Sequence, residues 1–212
     1  RAERAERIEP RRITSAAGGA VASPMRDGLI VRTCLLLALA SGGMRGTLDI
    51  LVPLWLTNVH HFSVSSIAKV CGAATLVFVF GSTLSGRLLE RLRCRLDASL
   101  TAVSMASCAA TAAIFLPSSA LGVSALFCAY CGISAFVSVA ATTVLEDRGK
   151  QLGNTDAVMA LSTLFWTGGF ATGGLLANAA LWGGFLTSRV RLIVGGAAAA
   201  ATAYVWSTRS CS

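Results

Sequence analysis

The sequence predicts an all-α fold, a polytopic transmembrane helical bundle of about six spans. Hydrophobic residues make up 54% of the 212-residue chain and charged residues 13%, about half the roughly 25% usual in soluble domains. Mean hydropathy is +0.68. The apolar residues are also gathered into blocks near the ~20 residues that a bilayer crossing needs. Lipid offers a free backbone N–H or C=O no partner, so each block has to be a helix.

The formal net charge of +8 raises the question of nucleic acid. Its placement excludes that partner, because the basic residues fall between apolar blocks and leave no continuous soluble face. The seven cysteines are scattered, mostly inside apolar runs where cysteine acts as a small hydrophobe, so no disulfide framework is expected. The chain begins at Arg1 without an initiator methionine, which reads as a fragment or a processed piece, and its start is too charged for a secretory signal.

Residues 1–12 read RAERAERIEPRR, a solvated stretch with helical character that Pro10 would end. Residues 15–23 form a small-residue linker, and Pro24 and Asp27 precede the first apolar block. Residues 1–27 read as a basic cytosolic segment or linker, with a lipid-surface anchor as the other reading. Six candidate spans follow, roughly 28–56, 64–86, 98–116, 121–145, 157–181 and 192–206, and the sixth is short. The transmembrane domain is thus 28–206 and the tail 207–212.

Charge asymmetry orients the layout. Arg1, Arg4, Arg7, Arg11, Arg12, Arg26 and Arg32 cluster at its start, Arg87, Arg91, Arg93 and Arg95 after the second span, Arg148 and Lys150 after the fourth, and Arg209 at the end. With an even number of spans these share one side, against Arg189 and Arg191 on the other. The positive-inside rule then places both termini in the cytosol.

The most specific local signal is Gly86-Arg-Leu-Leu-Glu90-Arg91-Leu-Arg93-Cys94-Arg95. It resembles the loop motif of the major facilitator superfamily, in which a glycine is followed four residues later by an acid and a base and then by Gly-Arg-Arg or Gly-Arg-Lys. In that family the motif joins the second and third helices of a half and is associated with gating, which implies such a role for Gly86, Glu90, Arg91 and Arg95. Glu90 stands for the usual aspartate, Arg93 for the turn glycine and Cys94 for an arginine. The bland reading is an ordinary basic inside loop.

The order of weaker features extends the resemblance. Pro53-Leu-Trp is followed by Ser63-Val-Ser-Ser-Ile-Ala, and Leu145-Glu-Asp-Arg148-Gly149 is similar to the family's Glu-Arg-Gly loop before a fifth helix. The fifth span carries Gly168-Gly169 and Gly173-Gly174, and Gly169 with Gly173 gives a small-xxx-small face suited to close helix contact. Arginine is absent where Cys128 stands, and the fifth span lacks a Gly-Pro step. Those absences weaken a drug/proton antiporter assignment and favour a C-terminal half. The resemblance implies secondary active transport of a small solute by alternating access. The implied partners are that solute, with proton coupling as an option, the lipid bilayer, and a missing second half or another copy. The rival is a truncated or degenerate transporter kept as a non-transporting interaction subunit.

Arg45 and Asp49 lie four residues apart within the first span. Pairing lowers the cost of each charge in lipid. One reading gives the pair a part in substrate binding or proton coupling, with Asp49 as the titrating group; the other is a structural ion pair near the outer interface. Lys69 is placed to snorkel, and His60-His61 is expected to be solvent-exposed. Cys128-Ala-Tyr-Cys131 has redox-motif spacing but no neighbouring charge to activate a thiol, so packing is favoured. No phosphate loop, nucleophile with a base, or zinc motif is found. Neither enzyme activity nor a metal or cofactor is expected.

Overall fold

The computed structural model describes residues 24–92, 106–107, 109–111, 113–114 and 119–182. The segment 1–23, most of the third expected span, the sixth span 192–206, the tail 207–212 and Arg95 of the loop motif fall outside the described residues. Every element among those described is helical. We label the long helices α1 (Gly28–Asn58), α2 (Val64–Leu92), α3 (Ala120–Gln151) and α4 (Thr155–Trp182).

Within the described residues, α1, α2 and α3 are long and apolar enough to cross a membrane. At 1.5 Å per residue, the 29 residues of α2 span roughly 43 Å, beyond the ~30 Å of a hydrocarbon core. Helix α4 is long enough at 28 residues, but its threonines, glycines and Asn178 dilute its hydropathy and it does not join that group.

The helices start and stop for identifiable reasons. Asp27 caps α1, its carboxylate accepting from the N–H groups of Leu29 at 3.0 Å and Ile30 at 3.3 Å. Ser119 caps α3 by accepting from Gly122 N–H at 3.2 Å. Helix α3 ends in a Schellman motif: Gly153 N–H donates to Lys150 O, Asn154 N–H donates to Gly149 O, and Gly153 takes φ +64°. The connection to α4 is therefore only three residues long, Leu152 to Asn154.

Helix α1 is interrupted by a π-helical segment, Leu37–Gly43. Its cause lies in its neighbour. Gly42, Gly43 and Gly46 of α1 face Gly169 and Gly173 of α4 with almost nothing between the backbones. A Cβ at Gly42 would lie 2.5 Å from the Trp166 carbonyl oxygen, and one at Gly46, Gly169 or Gly173 would run into the carbonyl of Phe170, Ala38 or Gly43. Thr47 closes the contact, its hydroxyl placed 2.9 Å from Gly43 O and 3.1 Å from Gly173 O. Such small-residue crossings are the usual way membrane helices approach each other, since lipid tails supply no hydrophobic drive between them.

Helices α2 and α3 form the second tight pair and run parallel. Ala74 packs in one cluster with Val123 and Phe127, and Leu89 packs in another with Val137, Ala140 and Ala141. Gly81 lets them close up, with Ala135 Cβ 3.2 Å from where its own Cβ would be. At the end of the bundle where α1 begins, Ile30 and Cys34 pack with Leu145, Val158 and Leu161. The largest cluster lies at the other end, where Leu48, Leu51, Val52 and Trp55 of α1 meet Tyr130 and Cys131 of α3.

The structure moves two boundaries. Helix α2 does not stop at Gly86 but continues to Leu92, so Gly86, Glu90 and Arg91 ride the end of a helix. Likewise, Glu146 to Lys150 is the last part of α3 and not a loop. Both stretches read as loops because they are charged. Leu88, Leu89 and Leu145 continue the helical pattern through them, and Leu89 and Leu145 are buried.

The α1–α4 crossing makes a direct prediction. Gly173→Ala places a methyl on the Gly43 backbone and should destabilise by about 1–3 kcal/mol. Gly168→Ala has nothing within 4 Å of its Cβ and should be neutral, or stabilising by up to about 1 kcal/mol. Thermal melts of the two variants in detergent check this; coincident melts would contradict the contact.

Candidate functional site

Arg45 and Asp49 form an ion pair on α1, with Arg45 Nε 3.0 and 3.1 Å from the two Asp49 carboxylate oxygens. Their side chains are 17% and 33% exposed, so each charge is partly withdrawn from solvent. The Arg45 guanidinium also lies over the Phe78 ring of α2, 4.9 Å from its centroid, a cation–π distance. Arg45 is thus held from two sides. Pro53, four residues beyond Asp49, has no N–H to donate to the Asp49 carbonyl.

Phe78 also belongs to a second feature. It lines a cleft of about 270 Å³ together with Leu37 of the π segment, Ser138 and Thr142 of α3, and Met159, Ser162, Thr163 and Trp166 of α4. All four long helices contribute to its wall. The hydroxyls connect inward, since Ser138 Oγ is 2.6 Å from Ser41 Oγ, which is 3.4 Å from buried Ser134 Oγ. Tyr130, one turn before Ser134, shares a side-chain hydrogen bond with it. A polar thread therefore crosses the apolar interior between α1 and α3. The π segment turns Ser41 toward α3, and π segments often occur at functional positions.

A second ion pair joins helix ends. Arg148, near the end of α3, donates through Nε to Asp27 Oδ2 at 2.8 Å, and its terminal nitrogen lies 2.8 Å from the same oxygen. Arg148 also donates to Gln151 Oε1 at 2.7 Å. Burial works against ionisation of Asp27. The Arg148 hydrogen bond, the N–H groups of Ile30 and Leu29 and the Arg148 charge outweigh it, holding the carboxyl below its ordinary 3.8. The sequence places Asp27 just before the first apolar block, but nothing in it showed that Arg148 would meet it.

The residues read as a gating motif are placed differently. Glu90 and Arg91 are exposed and form no ion pair among the described residues. A Cβ at Gly86 would meet nothing within 4 Å among the described residues. Among the described residues the acid that caps a helix N-terminus is Asp27. Gly169 and Gly173 face α1 across the backbone crossing, apart from the ion pair and the motif.

Lys69 is exposed. His61 is exposed and adopts φ 53°, whereas His60 is half-buried with a shielded Nε2 that has no hydrogen-bond partner among the described residues. Full exposure of both histidines therefore does not hold, because the tight turn after α1 tucks one of them inward. Cys131 is buried in the main core cluster and Cys128 packs against it. Both thiols are free. Compared with known proteins, the chain matches no family model, no curated protein and no solved structure.

The Asp27 pair sets a pH dependence with a definite sign. A carboxyl with a lowered folded-state value contributes stability that is present above about 3.8 and is lost as the pH falls through the lowered value. Asp27→Asn should melt earlier than the parent at neutral pH. The gap should narrow between about pH 5 and about pH 3. A gap that stays constant over that range would contradict the pairing.

Proposed function

We propose that the chain carries out secondary active transport of a small solute by alternating access, as one six-helix half of a transporter of the major facilitator type. One observation carries the reading. Phe78 joins an intramembrane ion pair to a cleft built by four helices, its ring serving both. Ionisable residues at membrane depth are costly and mark substrate or ion pathways, and a cleft between helices is where a bundle binds ligands. In this reading Asp49 is the coupling carboxylate and Arg45 its counter-charge.

The parallel course of α2 and α3 supports a larger span count. Consecutive spans alternate in direction, so the chain between two parallel ones has to return along the bundle. With a third span there and a sixth after α4, the count reaches six. In this reading the inside face is the one carrying Asp27, Arg87, Arg91, Arg148 and Lys150, and both termini are cytosolic. A lone half has only part of a central cavity, so a second half or another copy completes it.

A second reading, a non-transporting interaction subunit, draws on a different observation. Only 6% of the apolar window of α2 is buried, and Leu76, Val79, Phe80 and Leu84 are exposed. That face suits lipid or another membrane helix equally well. Neither reading involves catalysis.

Uptake into proteoliposomes, with and without an imposed proton gradient, separates the two. In the complete transporter, Asp49→Asn and Arg45→Gln should each lower gradient-driven uptake by at least about tenfold, the scale of one lost buried charge pair. If both variants kept normal uptake and its normal pH profile, the pair would be structural. A complete protein that took up nothing would end the transport reading.

A further inference from the structure

Three of the four hydroxyls lining the four-helix cleft are already committed as donors. Thr142 Oγ1 donates to Ser138 O at 2.7 Å, Ser162 Oγ to Met159 O at 2.8 Å and Thr163 Oγ1 to Met159 O at 3.0 Å. A hydroxyl has one proton and two lone pairs, so each presents lone pairs to the cleft. Accepting a hydrogen bond from a ligand costs these groups nothing. Donating one to an anion would first break the bond each makes to its own helix. The fourth hydroxyl, on Ser138, shares one hydrogen bond with Ser41 in which either oxygen can be the donor, and the Trp166 indole N–H is a different kind of donor on the wall.

The remaining walls are apolar or aromatic: Leu37, Phe78, Met159 and Trp166. Aromatic faces attract cations and repel anions through the ring quadrupole. No lining residue carries a formal charge. The nearest cation, the Arg45 guanidinium, sits over Phe78 and is engaged by both oxygens of Asp49. It therefore offers a carboxylate ligand little. At about 270 Å³ the cleft lies near the lower edge of small-molecule sites, about 300–1,000 Å³.

We propose that this cleft binds a small amphipathic organic ammonium, which donates hydrogen bonds to Thr142, Ser162 and Thr163 and rests its apolar part on Phe78 and Trp166. The same arrangement discriminates against carboxylates of equal size. In calling the ligand a substrate the proposal rests on the transport reading; as a binding site it stands apart from it.

The test uses the full chain in detergent, titrated with benzylammonium, benzyl alcohol and benzoate. The readout is the tryptophan fluorescence change that disappears in Trp166→Phe. Benzylammonium should bind saturably and roughly five- to a hundredfold more tightly than benzoate, the scale of one unmatched polar contact, with benzyl alcohol between them. The pair Thr142→Val and Thr163→Val keeps the shape, puts one of its valines at an exposed position, and should remove most of that preference. Equal or tighter benzoate binding, a preference untouched by the valine pair, or no Trp166-dependent signal from benzylammonium would each overturn the proposal. Uptake of labelled benzylammonium by the complete protein is scored separately. Binding without uptake supports the site while telling against transport, and uptake without the charge preference tells against the site while leaving transport standing.

Discussion

The backbone-to-backbone crossing of α1 and α4 is the constraint on which the rest of the described bundle depends. Gly42 and Gly46 on one helix and Gly169 and Gly173 on the other bring backbone against backbone at the contact. The two axes come closer than ordinary packing allows, and van der Waals contact and the Thr47 hydroxyl hold them there. Helix α1 is π-helical over Leu37–Gly43, where it meets that crossing. Leu37 and Ser41 then face the neighbouring helices, and the cleft opens beside the crossing between Leu37, Met159, Ser162 and Trp166. A larger residue at any of the four glycines would push α4 outward and change the cleft.

The two ion pairs that organise the charges follow different logic. Asp27 and Arg148 join the start of α1 to the end of α3, where the carboxylate also accepts two backbone N–H groups that a helix N-terminus leaves free. That pair ties distant parts of the chain together. Arg45 and Asp49 are one turn apart on a single helix and tie nothing together by themselves. Their reach to the rest of the bundle comes through Phe78, which receives the guanidinium on its face and lines the cleft.

Parts of this arrangement were legible in advance. The apolar blocks gave helices α1 to α4 close to their observed ranges, because a backbone in lipid has no alternative to internal hydrogen bonding. The four-residue spacing of Arg45 and Asp49 allowed the two to touch. Gly169 and Gly173 read as a packing face. The ends of α2 and α3 were misplaced, because charged residues such as Glu90, Arg91 and Arg148 look like loop when their helix outlasts the bilayer.

By itself the sequence determined the class, all-helical with helices long and apolar enough to cross a membrane, and that Arg45 and Asp49 fall within the first of them. Both follow from local composition and from the energetics of bilayer burial. Tertiary structure decided the partners. It set Gly42 and Gly46 against Gly169 and Gly173, Arg148 against Asp27, and Arg45 against Phe78. It also left Gly86 facing open space among the described residues. These pairings join residues 33 to 131 positions apart, and no local pattern encodes which helix faces which. The four-helix cleft exists only once those faces have met.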